Sequence, residues 1–239
     1  MTKWRRALFA LALAAPTPAW AQDDLGQGEV IVTATRRESD GYDDRVPAIG
    51  LRRQADYAVQ EVAVAGDTRD AQKRRDEIYA TVRNAIELAG RRGGIELATG
   101  EAVVEPLTLA NHRDLPVTRD QRPDAERASF LLKVRLEPGT DAKAALDRLA
   151  AFVKAVPTVG RALMEADDDL TLSVVRPDQY RDAVVGLVAQ EAARLAGRFG
   201  PGHSVEARGV DRPIEWSRAS LTEVFLYVPY QLTVVPAAR

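Results

Sequence analysis

The chain contains no cysteine, and only two histidines and two methionines among 239 residues. Without cysteine there is no disulfide, no thiolate nucleophile and no cysteine-ligated zinc. Stability must therefore come from packing or assembly. The two histidines, His112 and His203, form no His-x-x-x-His pair, whereas a zinc site wants three or four protein ligands. They read as solvated loop residues. Charge of one sign is not in excess: 33 basic residues stand against 35 acidic ones, for a net charge of -2. That balance argues against non-specific nucleic-acid binding, which needs positive charge to displace counterions. After residue 21 no apolar run approaches the ~18 residues of a spanning helix.

What is there begins at the N-terminus. Residues 1–21 read as a secretory signal peptide. Lys3, Arg5 and Arg6 form its positive end, Ala7–Ala15 its short apolar stretch, and Ala19-Trp20-Ala21 the small residues a signal peptidase needs. Pro16 and Pro18 end the apolar stretch. Cleavage would leave 218 of the 239 residues. Three of the 33 basic residues and none of the 35 acidic ones would go with it, so the net charge falls from -2 to -5. The expected location is a bacterial periplasm, with outer-membrane association as an extension of that reading. Residues 22–50 read as an N-terminal arm and linker, closed by Gly41, Pro47 and Gly50.

The folded body is expected over residues 51–236, as two packed cycles, 51–124 and 125–236. The first opens with a strand over Tyr57–Ala65. Gly66-Asp67-Thr68 reads as a turn and helix cap, before a helix from Arg69 to Arg91. Its apolar stripe is Ile78, Val82, Ile86 and Ala89. Ile95–Leu109 reads as one extended element, broken at Thr99-Gly100, and Asn111–Asp124 as a loop. The second cycle opens with Glu126–Glu137. There Phe130, Leu132, Val134 and Leu136 alternate with Leu131, Lys133, Arg135 and Glu137, the period of a strand with one buried face. A helix over Ala142–Val156 presents Leu146, Leu149 and Val153. Leu170–Val175 reads as a strand. Pro177 starts a long helix to Phe199, with Tyr180, Val184, Leu187, Val188, Leu195 and Phe199 on its buried side. A short strand covers His203–Ala207, and one long final strand covers Leu221–Val235, disturbed at Pro229. The sum is an α+β fold: a mixed or antiparallel sheet packed against two or three long helices in two βαβ-like cycles.

No residue pattern marks a catalytic, cofactor-binding or metal site. Glu165, Asp167, Asp168 and Asp169 form the densest acidic group, without the spaced donors and central glycine of a calcium loop. They read as a solvated connection. No serine sits in a Gly-x-Ser-x-Gly context. Gly93-Gly94 and Gly200-x-Gly202 end helices rather than lead into them, so they read as caps and not phosphate cradles. Glu101 and Glu105 are a generic carboxylate pair. The basic groups Arg36-Arg37, Arg52-Arg53, Lys73-Arg74-Arg75 and Arg91-Arg92 allow a peripheral contact with anionic lipid or polysaccharide, but interspersed acids favour plain solvation. The aromatic concentration near the C-terminus is the candidate interface: Trp216, Arg218, Phe225, Tyr227 and Tyr230, since aromatic and arginine side chains anchor interfaces.

The alanine-rich stretch Arg181–Gly200, the earlier helix over Asp70–Gly90 and the closing strand Leu221–Val234 resemble the SIMPL domain family, also called the domain of unknown function 541 family. The likeness covers residues 51–236. It implies secretion to a bacterial envelope, an α+β fold and, in some members, a ring-like oligomer. It implies no catalytic residues. A second resemblance sits at Glu29–Arg37, where Val30, Ile31, Val32, Thr33, Ala34 and Thr35 look like the segment near the mature N-terminus of TonB-dependent outer-membrane receptors. There a nearby stretch pairs with TonB by adding a strand. The chain lacks the many alternating segments of such a receptor's barrel, and the plainer reading is an ordinary first strand or arm. The expectation is thus a secreted, non-enzymatic protein working by homo-oligomerisation or contact with an envelope protein, with envelope-stress protection as the process it would serve. The alternatives are a periplasmic small-ligand carrier or enzyme, and a TonB-coupled accessory protein.

Overall fold

The computed structural model describes residues 28–32, 46–100 and 103–237. The signal-peptide reading, most of the arm, and Thr33, Ala34 and Thr35 lie outside these residues. In chain order the elements are β1 (Glu29–Val32), β2 (Leu51–Gln54), β3 (Tyr57–Gly66), α1 (Ala71–Arg92), β4 (Glu96–Thr99), β5 (Glu105–Pro106), β6 (Val117–Arg119), β7 (Glu126–Arg135), α2 (Ala142–Ala155), β8 (Leu163–Val175), α3 (Arg181–Phe199), β9 (His203–Arg208), β10 (Glu215–Arg218), β11 (Glu223–Tyr227) and β12 (Gln231–Pro236). Among the described residues this is an α+β fold of three helices and antiparallel sheets.

The main sheet runs β1-β8-β3-β7-β4-β5, with β6 added on β7. The two cycles are therefore interleaved: β3 of the first lies between β7 and β8 of the second, antiparallel to both. None of the pairings has the parallel sense of a βαβ unit. Helix α1 packs on β3, β7 and β4, and α2 on β8, β7 and β3. Beneath them the register sets Val62 opposite Phe130, and Ala58 opposite both Val134 and Leu172. These side chains join Ile78, Val82, Leu149 and Phe152 in one buried cluster. A second sheet, β10-β11-β2, and a two-stranded ribbon, β9-β12, carry α3.

Local chemistry fixes the helix ends. The cap of α1 is Asp70, whose carboxylate accepts from the Lys73 N–H at 2.7 Å, rather than the Gly66–Thr68 turn. Thr68 serves another group: its hydroxyl donates to Glu77 at 2.5 Å. The Arg161 N–H donates to the same carboxylate at 3.2 Å. Gly160 follows the same logic, because its φ is +61° and an added Cβ would lie 2.2 Å from the Glu77 carboxyl carbon. The Thr68 hydroxyl, opposed by burial and aided by the Arg161 N–H, holds the Glu77 carboxyl below its ordinary pKa. A lowered carboxyl pKa stabilises the fold above the unfolded-state value and is lost as pH falls through the folded one. Glu77→Gln is therefore expected to flatten the acid-side fall in thermal stability, read as Tm between about pH 5 and 3. An unchanged pH profile would contradict it.

The expected loop Asn111–Asp124 contains a strand, β6, paired with β7, and three expected extended elements differ in form. Ile95–Leu109 is a hairpin, β4 with β5. The final strand is two strands in two sheets, β11 and β12, with Pro229 in the break. Strand β8 starts at Leu163, seven residues before the expected Leu170. Its register with β3 passes from Leu170–Gln60 to Ala166–Val62, so Asp167–Asp169 form a bulge within a strand. The Gln60 side chain donates to the Asp167 carbonyl at 2.6 Å. The acidic run is thus part of the sheet, not a connection.

Candidate functional site

The helices cover one face of the main sheet. The other face gathers Tyr57 from β3, Lys133 and Arg135 from β7, Ser173 from β8, Glu96 from β4 and Glu29 from β1. Register alone brings most of them together: Tyr57 lies opposite Arg135 and Ser173, and Lys133 opposite Glu96. Strand β1 completes the group. It pairs with β8 from Glu29–Val175 to Val32–Leu172. On its other side the Val104 N–H donates to the Glu29 carbonyl at 3.1 Å. Val104 adjoins β5, at the far end of the sheet order, so the sheet rolls over its helix-free face and its two ends meet at Glu29. The enclosed side chains lose solvent: Lys133 is 5% exposed, Ser173 0% and Tyr57 6%.

A buried ammonium needs partners, because desolvation of an unpaired charge is costly. Lys133 donates to the Glu29 carboxylate and lies 3.3 Å from the Glu96 carboxylate. Its Nζ also sits 4.1 Å from the centre of the Tyr57 ring, a cation–π contact. The Ser173 hydroxyl donates to the second Glu29 oxygen. The Tyr57 hydroxyl donates to Glu96 at 3.0 Å and accepts from Arg135 at 2.9 Å. Burial first, and then the Glu96 carboxylate, push the Tyr57 phenol above its ordinary pKa. The group is a connected polar network, buried at Lys133, Ser173 and Tyr57 and open to solvent at Glu96 and Arg135. Ser173 is fully buried, so its hydroxyl is not presented to a substrate. Two cavities flank the network. One, of about 410 Å³, is lined by Glu29, Glu96, Lys133 and Val104. The other, of about 630 Å³, is lined by Ile31, Glu61, Leu131, Asp167 and Asp169. Glu29 and Ile31, two apart on β1, each reach one of them.

Alternation did place Lys133 on the face opposite Phe130 and Leu132. It assigned that face to solvent, because nothing local announces a carboxylate arriving from residue 29. The sequence signal was a lone glutamate before the β-prone run Val-Ile-Val. Strand β1 holds Val30, Ile31 and Val32 in the ladder with β8, so these positions are engaged within the chain.

Trp216, Arg218, Phe225 and Tyr227 of the candidate interface fall on the second sheet, and Tyr230 falls in the link from β11 to β12. Tyr227 is buried and stacks on Phe225, with ring centres 5.7 Å apart. The Tyr230 hydroxyl accepts from the Ile49 N–H at 3.2 Å. Trp216, half-buried on β10, stands opposite Leu226. Arg218 donates to the carbonyls of Leu170 and Ser220, and burial draws its pKa below the usual arginine value. The structure thus sets Tyr227 inside the molecule and ties Arg218 and Tyr230 to neighbouring segments. Arg36-Arg37 lie outside the described residues, and four of the other basic residues pair locally. Arg74 and Arg75 both pair with Glu126, Arg91 with Glu87 and Arg53 with Asp56.

A different surface is left open. Helix α3 buries only Val184 and Val188 fully. Leu187 and Leu195 are half-buried, and Phe199, expected on the buried side, is 54% exposed. The β9-β12 ribbon packs on this helix. Its register puts Val205 opposite Val234, and Ala207 opposite Leu232. Val205, Val234 and Leu232 are all only half-buried. Between helix and ribbon lies a groove of about 810 Å³, reaching Ile49, Leu195, Tyr230 and Leu232.

His203 packs on Phe199 with ring centres 6.1 Å apart, and His112 on Tyr79 at 6.4 Å. Among the described residues no group of three or more His, Asp or Glu side chains is arranged to hold a metal ion, and no helix is long and apolar enough to cross a membrane. Protein-family models, curated proteins and solved structures give no match to this chain.

Proposed function

We propose that this is a secreted, envelope-associated protein without catalytic activity, which works by associating with copies of itself. The observation that carries the reading is the surface of α3 and the β9-β12 ribbon. A two-stranded ribbon is marginal unless a third strand or a covering layer supports it. Here one helix supports it, and that helix still exposes Phe199 at 54%. A second copy laid against the distal part of α3 would cover Phe199 and the half-buried Leu195. The resemblance to the SIMPL domain over residues 51–236 and the signal-peptide reading of residues 1–21 support the same reading.

Mass measurement by light scattering on the chain from Gln22 onward tests it. A discrete oligomer is expected, and Leu195→Glu with Phe199→Glu should return it to monomer while leaving the circular-dichroism spectrum unchanged. A wild-type monomer at concentrations up to about 100 µM, where a specific interface with Kd near 1 µM would be filled, overturns the proposal.

A further inference from the structure

The pairing of β1 with its groove has the features of a ligand in a binding site. The groove has a ladder edge on β8, a carbonyl-directed donor at Val104, and a buried cation and hydroxyl, Lys133 and Ser173, aimed at one carboxylate. Two positions along the strand, Ile31 lines the second cavity with Leu131. The groove therefore recognises an extended segment carrying a carboxylate and, two residues on, an aliphatic side chain. That is strand addition, with main-chain bonds for affinity and alternate side chains for specificity. We propose that the groove is a strand-acceptor site that takes β1 of a second copy of this chain when the chain's own β1 is out of it, whereas a chain with an intact β1 and groove closes on itself.

Three observations favour this occupant. Charge complementarity demands a carboxylate at Lys133, and β1 carries it. Neither Glu29 nor Ile31 belongs to the core cluster. Residues 33–50 join β1 to β2, and an extended connection of that length spans roughly 60 Å, enough to reach a neighbouring molecule. The site uses none of the α3 or ribbon residues, so it goes beyond the surface proposed above.

Complementation tests it. Two variants are made in a Leu195→Glu, Phe199→Glu background, which removes the α3 surface. Val30→Pro spoils the donor, because proline cannot join the ladder, and leaves the acceptor free. Lys133→Met spoils the acceptor and leaves the donor. Each alone should be monomeric by native mass spectrometry, and the mixture should give a 1:1 dimer. A monomeric mixture overturns the proposal. As a second readout that does not need Lys133→Met to fold, a fluorescent peptide of residues 28–36 is titrated onto the Val30→Pro chain. It should bind at least about tenfold tighter than its Glu29→Gln form, since a hydrogen bond to a charged group is worth about that much. Equal binding of the two peptides also overturns it. These outcomes are independent of whether the α3 surface associates.

Discussion

Lys133→Met is expected to destabilise the protein by about 3–5 kcal/mol, the usual cost of removing one member of a buried ion pair. The loss comes less from the missing attraction than from what stays behind. Glu29 would keep its carboxylate against Ser173 with no cation opposite, inside a sheet that has rolled over it. The effect should be concentrated on one segment. Glu29 sits on β1, which is held by its ladder to β8, the Val104 contact and this pair. Limited proteolysis should then cut near residues 28–33 before the rest of the chain unfolds. The double variant Glu29→Gln, Lys133→Met should recover part of the loss, because neither charge is then stranded. A coupling of 1 kcal/mol or more in that cycle is expected, about the level that marks residues in direct contact. Additive single effects would mean that the two side chains do not meet.

Phe152→Ala should cost as much, about 3–5 kcal/mol, with the opposite distribution. Phe152 is 2% exposed and is the largest of the fully buried side chains. It projects from α2 into the layer between helix and sheet, among residues of the central cluster. Its removal leaves a cavity under the elements that carry the fold, so unfolding should remain cooperative, with a lower denaturant midpoint and an unchanged slope. Strand β1 should show no protease sensitivity ahead of global unfolding. A two-step transition in this variant, with β1 released first, would contradict the assignment of Phe152 to the common core.

These two residues also show what the sequence discloses and what it withholds. Periodicity puts Leu146, Leu149 and Val153 on the core face of α2, whereas the structure buries Ala145, Leu149 and Phe152; the α2 boundaries and the facing strand β7 are legible from periodicity alone. So is the α1 stripe, of which Ile78, Val82 and Ala89 are buried. These signals are local, repeated every few residues and set by burial. Lys133 carries no such signal. A lysine at an alternate position of a half-buried strand reads as solvent-facing, and its partner stands 104 residues away. The same reason hides the true length of β8. Residues Leu163–Asp169 are rich in acid, and only a bulge opposite Gln60 lets three aspartates sit within the strand. The opposite error occurs at Leu221–Val235, where two apolar runs read as one strand. Their assignment to different sheets depends on partners, β2 and β10 for one and β9 for the other, that no local pattern names. Phe199 shows a third kind of miss. Its helical spacing matches Val184, Val188 and Leu195, but the layer that would cover it is not supplied by the described part of its own chain.

That uncovered end of α3 makes the mass of the protein in solution the most direct test. For the chain from Gln22 onward, light scattering should give a discrete multiple of the protomer mass. The Leu195→Glu, Phe199→Glu double variant should fall to a single protomer with its fold intact. A wild-type chain that stays at one protomer mass across the concentration range would contradict the account.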